Sequence, residues 1–248
     1  MIEQEGALTP TPRGDVWCVL AAGAAAFRVG YPPTSWEWTP WEYATGGRFS
    51  GRWDDPSGVW RTLYVGSSLL ACYLEVLAYA RPSDELTRAL DEISEEDGEQ
   101  FPSVEPGHVP RSWMKARISG SGAIDGWFVV PGHPESMATL RTAFRGQAIR
   151  LGLMDLDTAA IRDGRPRALT QEISSWINTQ TGPDREMVAG IQFESRHGDG
   201  LKLWAIYERP GDSVVSANVT QLEYGPVLED DPDLVEAMRL HHLVWDDV

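Results

Sequence analysis

One carboxylate stands inside an otherwise uncharged stretch of this chain. Residues 69–80 read LLACYLEVLAYA, and Glu75 is the only charged residue among them. If the stretch is helical, the residues three and four positions away from Glu75 are small or apolar, with one tyrosine among them. They are Ala71, Cys72, Ala78 and Tyr79. A carboxylate on such a face must pair with a cation, stay protonated or face a cavity, which makes Glu75 the first candidate for a catalytic residue.

The residues alone leave two interpretations of Glu75 open. The three arginines nearest before it in sequence are Arg48, Arg52 and Arg61. A buried ion pair with one of them would make Glu75 a structural residue, because such pairs also occur away from active sites. The alternative is a carboxylate that faces a ligand.

The elements around Glu75 follow from local sequence signals. RTLYVG at 61–66 predicts a strand, and Ser67 or Ser68 is placed to cap the helix that follows. Later in the chain, GIQFES and LKLWAIYE flank the turn RHGDG, which predicts a β-hairpin with Ser195 at a strand end. A serine at that place either reaches a ligand or completes the hydrogen bonding of the turn.

Further elements complete the expected α/β pattern. Helices are predicted from Pro134 to Leu151, from Thr170 to just before Gly182, and over residues 232–243. Strands are predicted at 113–118, 126–130 and 153–156. Three tryptophans in the loop YPPTSWEWTPWEY either anchor that loop to the core or line a pocket. They are Trp36, Trp38 and Trp41.

Composition excludes several classes of function. The net charge of −16 argues against general binding to nucleic acid or to an anionic membrane, although a local group of arginines can still bind a small anion. Cys18 and Cys72 lack the spacing of a zinc site or a disulfide framework, so we expect a reducing, cytoplasmic location. The sequence predicts no membrane span, no export signal and no metal site, and it lacks HExxH, Walker and GxGxxG motifs. The acidic segment at 83–105 is expected to be a solvated surface without a role in chemistry.

No internal repeat or composition break indicates a second domain. We therefore expect a flexible N-terminus at 1–15, one catalytic domain at 16–225, and an acidic tail with a helix at 226–248.

An ordered set of residues resembles the RES-domain family. The set consists of Arg28, GRW at 51–53, Tyr64, Glu75 and GIQFESR with Ser195, and the resemblance extends from about Phe27 to Glu208. Known members include NAD-consuming toxins of toxin–antitoxin pairs, with a fold similar to that of ADP-ribosyltransferases. The resemblance thus implies an α/β (α+β) fold, with a small mixed, split β-sheet flanked by helices in a single domain.

The resemblance also implies roles for these residues. Glu75 would stabilise the positive charge that develops on ribose when the nicotinamide bond breaks. Arg28 and Arg52 would bind phosphate groups, and Ser195 would donate a hydrogen bond to phosphate or ribose. Tyr64 would pack on nicotinamide or hold the reacting ribose. Arg48 competes with Arg52, because both lie in a Gly-Arg-aromatic element, and Arg52 is preferred for its place closer to the Tyr64 strand.

The implied activity is cleavage of NAD by phosphorolysis or hydrolysis, with NAD as substrate, inorganic phosphate as the co-substrate in the first case, and no metal. Transfer of ADP-ribose to a protein is the closest alternative, and a non-catalytic module that binds a ligand or partner is the other. The implied partners are NAD and a separate antitoxin protein. Self-association into a homo-oligomer stays open.

Overall fold

The computed structural model describes residues 5–82 and 105–246. The predicted acidic segment at 83–105 lies outside the described residues, apart from Glu105.

Strands and helices alternate along most of the described chain. The strands are β1 (Gly6–Thr11), β2 (Gly14–Gly30), β3 (Thr62–Gly66), β4 (His108–Pro110), β5 (Ile118–Val129), β6 (Gly190–Glu194), β7 (Lys202–Tyr207), β8 (Val219–Pro226) and β9 (Val244–Asp246). The helices are α1 (Leu69–Val76), α2 (Ser112–Lys115), α3 (Pro134–Arg150), α4 (Thr158–Asp163), α5 (Arg167–Asn178) and α6 (Pro232–His241). Short 3-10 turns occur at Trp41–Tyr43 and Ala78–Ala80.

The described residues cluster into two compact units. The first comprises the chain up to Ala26 together with Trp36–Ser67 and Ser121–Glu223. The second comprises Phe27–Ser35, Ser68–Gly120 and Tyr224–Val248, as far as these ranges are described. The predicted limits of a catalytic domain at residues 16 and 225 stay a prediction.

A mixed sheet dominates the first unit. Its strand order is β1-β2-β3-β7-β6-β5-β8, with an additional pairing of β2 and β5. β5 and β6 run parallel, with Phe128 opposite Gly190, whereas β6 and β7 form the predicted antiparallel hairpin, with Glu194 opposite Lys202. Together with the helices, this sheet confirms the predicted α/β class.

The core of the first unit lies against this sheet. Its strand residues are aliphatic or aromatic, such as Leu63, Val65 and Phe128. Trp36 and Trp38 are buried in the same core, and their indole N–H groups donate to the carbonyl oxygens of other loop and strand residues. These two tryptophans therefore anchor their loop.

The N-terminal segment differs from its prediction. Residues 1–15 were expected to be flexible, but Gly6–Thr11 pairs antiparallel with the start of β2, with Leu8 opposite Trp17. Trp17 stacks on His133 with ring centroids 4.6 Å apart. Pairing with a long strand satisfies the backbone of residues whose composition alone is typical of a loop.

The second unit is organised around α1 and α6. Ser68 caps α1 by accepting the backbone N–H of Ala71 over 3.1 Å, as the sequence predicted. α6 holds α1 through three polar contacts, which join the Leu70 N–H to Asp233, the Tyr73 hydroxyl to Asp231, and His241 to the Leu74 carbonyl. In the same unit β4 and β9 form a parallel pair.

Several predicted elements have different bounds. Residues 112–115 form α2 where a strand was predicted, and residues 153–156 contain no strand. α5 begins at Arg167, so Thr170 does not cap it; its hydroxyl instead bonds the Arg167 carbonyl inside the helix. α1 ends at Val76, earlier than the apolar stretch does, and a 3-10 turn follows.

In the described residues, no helix combines the length and the apolar character needed to cross a membrane.

Candidate functional site

A rigid loop carries the GRW motif of the first unit. The Tyr64 hydroxyl accepts the Trp53 backbone N–H and donates to Asp54 Oδ1, each over 2.9 Å. Asp54 Oδ2 accepts the backbone N–H of Gly51 over 2.5 Å. Burial raises the pKa of the Asp54 carboxyl, and burial together with the Asp54 charge raises that of Tyr64. Tyr64 therefore fastens the loop at 51–55 to β3, together with Thr62, whose hydroxyl donates to the Trp53 carbonyl over 3.2 Å.

Helix α5 fixes the same loop from the other side. Ser174 donates its hydroxyl hydrogen to the Trp53 carbonyl over 2.6 Å, and the Gln171 side chain donates to the Gly51 carbonyl over 3.0 Å. A loop held at both ends in this way keeps the side chain between them in one position.

That side chain is Arg52, which is only 7% exposed. Its guanidinium carbon lies 5.3 Å from the centre of the Phe193 ring on β6. Arg48, in contrast, is exposed and reaches the Pro56 carbonyl at 3.5 Å. Of the two competing arginines, Arg52 is the one that is buried in the protein.

Ser195 directly follows β6. It is fully buried, and its hydroxyl oxygen accepts the His197 backbone N–H over 3.0 Å, so it completes the turn of the hairpin. Arg162 donates to the Ser195 carbonyl over 2.9 Å and also bonds the turn at Gly198. Because side chains alternate along a strand, Ser195 lies on the same face of β6 as Phe193, which is the face that Arg52 covers.

The second unit contains Arg28 and Glu75. Arg28 lies near the end of β2, where its Nε donates to the Ser35 carbonyl. Burial lowers the pKa of Arg28 to about 10, so the guanidinium still carries its charge at neutral pH. Cys72, on α1, donates its thiol hydrogen to the Phe27 carbonyl over 3.1 Å. This contact places the backbone next to Arg28 against the face of α1 that Glu75 shares three residues later.

Glu75 is the penultimate residue of α1 and is partly buried. Ala71 and Cys72, one turn earlier, are buried, as expected for an apolar face. After the helix, however, Tyr79 is 65% exposed, since the chain has left the helical path by then. Glu75 therefore lies at the edge of the packed face of α1.

One of the three arginines that could form an ion pair with Glu75 pairs with a different carboxylate. Arg61 forms a two-pronged pair with Glu208, in which Nε donates over 2.8 Å and Nη2 bonds the other carboxylate oxygen. Both side chains are 19% exposed. The guanidinium of Arg61 thus joins β3 to β7 at one end of their hydrogen-bonded pair.

The structure distributes the predicted residues over both units. In the first, Tyr64 on β3 bonds the loop that carries Arg52, and Arg52 and Ser195 share one face of β6. In the second, Arg28 and Glu75 flank the Cys72 contact. The sequence reasoning missed Arg162 and Arg167, although the run IRDGRPR at 161–167 already showed an unusual density of arginine.

A cavity of about 750 Å³ in the first unit lies apart from these residues. Its walls come mainly from α3 and α5 and include Arg13, Gln147, Arg150, Glu172, Ser175 and Trp176. None of the predicted site residues lines it. In the part of the chain that the structure describes, no three His, Cys, Asp or Glu side chains gather as they would around a metal ion.

Comparison with known families confirms the resemblance. The family model of the RES domain matches residues 25–109, about a third of the chain, and this range includes Arg28, Arg52, Tyr64 and Glu75. Searches of curated proteins and of solved structures gave no match. Residues 25–109 are thus similar to the RES domain, and this similarity favours an NAD-utilising enzyme. The likeness to the fold of ADP-ribosyltransferases stays a prediction.

Proposed function

We propose that this protein cleaves the nicotinamide–ribose bond of NAD, by phosphorolysis or hydrolysis, and acts as the toxin of a toxin–antitoxin pair. The observation that carries the proposal is Glu75, the only charged residue of the stretch 69–80, which lies near the end of α1 inside the range that matches the RES domain. The separate antitoxin protein and a cytoplasmic location belong to the same proposal.

Glu75 suits the charge that this reaction creates. Loss of nicotinamide leaves an oxocarbenium-like ribose, which a nearby carboxylate stabilises. The last turn of a helix also presents carbonyl oxygens and a partial negative charge, so the position of Glu75 near the C-terminus of α1 works in the same direction.

Arginines in both units suit the anionic parts of the substrates. Arg28 remains protonated at neutral pH despite its lowered pKa, and Arg52 is held by a loop that is fixed at both ends. A guanidinium is a fork of N–H donors that matches two phosphate oxygens. Since the chain as a whole repels anions with a net charge of −16, such local cations are what a dinucleotide or a phosphate ion requires.

Tyr64 and Ser195 contribute mainly by positioning. The Tyr64 hydroxyl already bonds Trp53 and Asp54, which leaves its ring rather than its hydroxyl for contact with nicotinamide. The Ser195 oxygen accepts a turn N–H, and donation of its hydroxyl hydrogen to a phosphate or ribose oxygen is the role that the family resemblance implies.

The test is NAD turnover by the purified protein, with products identified by mass spectrometry with and without inorganic phosphate. A phosphate-dependent rise in phosphorylated ADP-ribose means phosphorolysis, and ADP-ribose in both conditions means hydrolysis. Label from NAD that appears on protein would replace both with ADP-ribosyl transfer. NAD that stays intact in every condition, including with added cell lysate as a source of acceptors, would refute the enzymatic proposal.

The toxin part of the proposal has its own test. Induced expression of the wild-type chain should arrest growth and deplete cellular NAD, whereas Glu75→Gln should do neither. Glu135→Gln, which alters an exposed acid in the first turn of α3, is the matched control and should remain toxic.

A further inference from the structure

Two arginines meet at one glycine in the first unit. Gly164 ends α4, and a β-carbon placed on it would lie 2.6 Å from Arg52 Nε and 2.6 Å from Arg167 Nη1. Arg167, the first residue of α5, also donates from Nη1 to the Gly164 carbonyl over 3.0 Å. The two guanidinium groups are therefore neighbours, in contact with the same backbone.

This approach requires glycine for two separate reasons. Gly164 has φ +66°, in the left-handed region that closes α4. Even a residue that tolerates this conformation would push its β-carbon into both arginines, since each contact is far shorter than carbon and nitrogen normally allow. The lack of a side chain at Gly164 thus leaves the room that the guanidinium groups of Arg52 and Arg167 occupy.

Several arginines lie around this glycine. Arg165 and Arg196 lie beside Asp163, and the Arg167 charge acts on both Asp54 and Asp163. With Arg52 and Arg167 beside Gly164, four guanidinium groups therefore lie in this part of the first unit. On a chain with a net charge of −16, this is a local cluster of arginines next to the β6 face that carries Ser195.

We infer that Arg52 and Arg167 together form a binding site for a phosphoryl group, with Arg167 as the member that sequence reasoning missed. Two neighbouring guanidinium groups offer several N–H donors to one tetrahedral anion, and such binding gives a reason for holding a buried arginine beside another. The same chemistry suits inorganic phosphate and the diphosphate of a dinucleotide. The assignment of this group to the NAD reaction rests on the proposed function, whereas phosphoryl binding itself does not.

The test is isothermal titration calorimetry with two probes, inorganic phosphate and ADP-ribose. Arg167→Gln should weaken binding of at least one probe by about tenfold or more, because charge-assisted hydrogen bonds are lost. Arg167→Lys keeps the positive charge but lacks the forked N–H donors of a guanidinium. Its affinity should therefore lie between those of the wild type and of Arg167→Gln. Arg185→Gln removes an exposed arginine elsewhere in the first unit and should bind as the wild type does.

A second pair of variants tests the geometry without removing charge. Gly164→Ala should weaken binding as Arg167→Gln does, because its methyl group displaces both guanidinium groups. Gly23→Ala is the control, since Gly23 has φ +65° with no atom within 4 Å of its added β-carbon, so it carries the same backbone strain alone. Melting temperatures of all variants identify any that fail to fold.

The outcomes separate this inference from the proposed function. Loss of phosphate binding alone assigns the site to inorganic phosphate, and loss of ADP-ribose binding assigns it to the diphosphate. If the wild type binds neither probe, or if folded Arg167→Gln binds both unchanged, the inference is wrong even where NAD is consumed. If binding depends on Arg167 but NAD stays intact, the site stands and the proposed reaction falls.

Discussion

The Tyr64 hydroxyl donates a 2.9 Å hydrogen bond to Asp54, and through it the strand β3 governs the loop that carries Arg52. The carboxylate is buried, and its second oxygen is held by the Gly51 N–H. Tyr64, which the family resemblance assigns to ligand contact, therefore also holds the loop that carries Arg52 in place.

We expect Tyr64→Phe to destabilise the fold by about 2 to 3 kcal/mol, because a hydrogen bond to a charged group is lost and the Trp53 N–H loses its acceptor. Burial raises the folded-state pKa of Asp54 above its usual 3.8, so the folded protein favours the neutral carboxyl and loses stability as pH rises through that pKa. The variant removes a donor to the charged form, so its deficit should be larger at pH 7 than at pH 4. Urea unfolding at both pH values measures this.

The control for Tyr64→Phe is Tyr43→Phe, at a tyrosine that is 69% exposed. It should change the unfolding free energy by less than about 0.5 kcal/mol at either pH. An equal deficit for Tyr64→Phe at pH 4 and pH 7 would show that Asp54 does not titrate in contact with Tyr64.

Local signals predicted the elements around Tyr64 well, and the contacts between them hardly at all. The strand at β3, the cap at Ser68 and the β6–β7 hairpin follow from alternation, capping and turn chemistry, all of which act within a few residues. The pairing of Gly6–Thr11 with β2 and the hold of α5 on the arginine loop depend on partners far along the chain. Such contacts leave no periodic trace in the sequence.

The pair of Arg61 and Glu208 gives a second prediction. It is bidentate, and the carboxylate also accepts the Arg61 backbone N–H over 2.9 Å. Glu208→Gln should cost about 2 kcal/mol, less than the full cost of breaking a buried pair because both side chains are 19% exposed. Chemical denaturation at neutral pH measures the loss.

The exposed pair of Arg239 and Glu236 on α6 is the control for that prediction. It is also two-pronged, but it lies on the surface, so Glu236→Gln should leave the unfolding free energy close to that of the wild type. A loss for Glu236→Gln as large as that for Glu208→Gln would show that geometry, and not burial, sets the strength of these pairs.

His241 gives a prediction for the pH dependence of stability. Its Nε2 lies 2.8 Å from the Leu74 carbonyl, and burial lowers its pKa below the usual 6.5, against the opposing effects of that carbonyl and of Glu75. Arg81 and His242 lower it further. Since the unfolded chain binds the proton at higher pH than the folded one, stability should fall as pH drops below 6.5.

The measurement is urea unfolding of the wild type and of His241→Gln at pH 7.5, 6.5 and 5.5. The glutamine can still donate to the Leu74 carbonyl but does not titrate. The variant should therefore lose less stability than the wild type between pH 7.5 and 5.5. His242→Asn, next in sequence, should leave the fall in place. A wild type that gains stability relative to His241→Gln between pH 7.5 and 5.5 would contradict the lowered pKa.

The candidate site was predicted from residue types and their order, and the limits of that prediction have a physical cause. Glu75 stands out because a charge in an apolar run is visible in sequence. Arg167 does not, because its meaning comes from a left-handed glycine and from a second arginine more than a hundred residues earlier. The arrangement of the arginines is thus visible only in the folded structure, whereas the unusual carboxylate can be recognised in the sequence.

The decisive prediction concerns Glu75 itself. If the carboxylate stabilises the developing charge on ribose, Glu75→Gln should lower kcat for NAD by at least about 100-fold. The melting temperature should then stay close to that of the wild type. Glu75→Asp keeps the charge but shortens the side chain, so it should retain part of the activity. If Glu75 instead belongs to a structural ion pair, Glu75→Gln should cost about 3 to 5 kcal/mol of stability, and any loss of activity should follow the loss of folded protein.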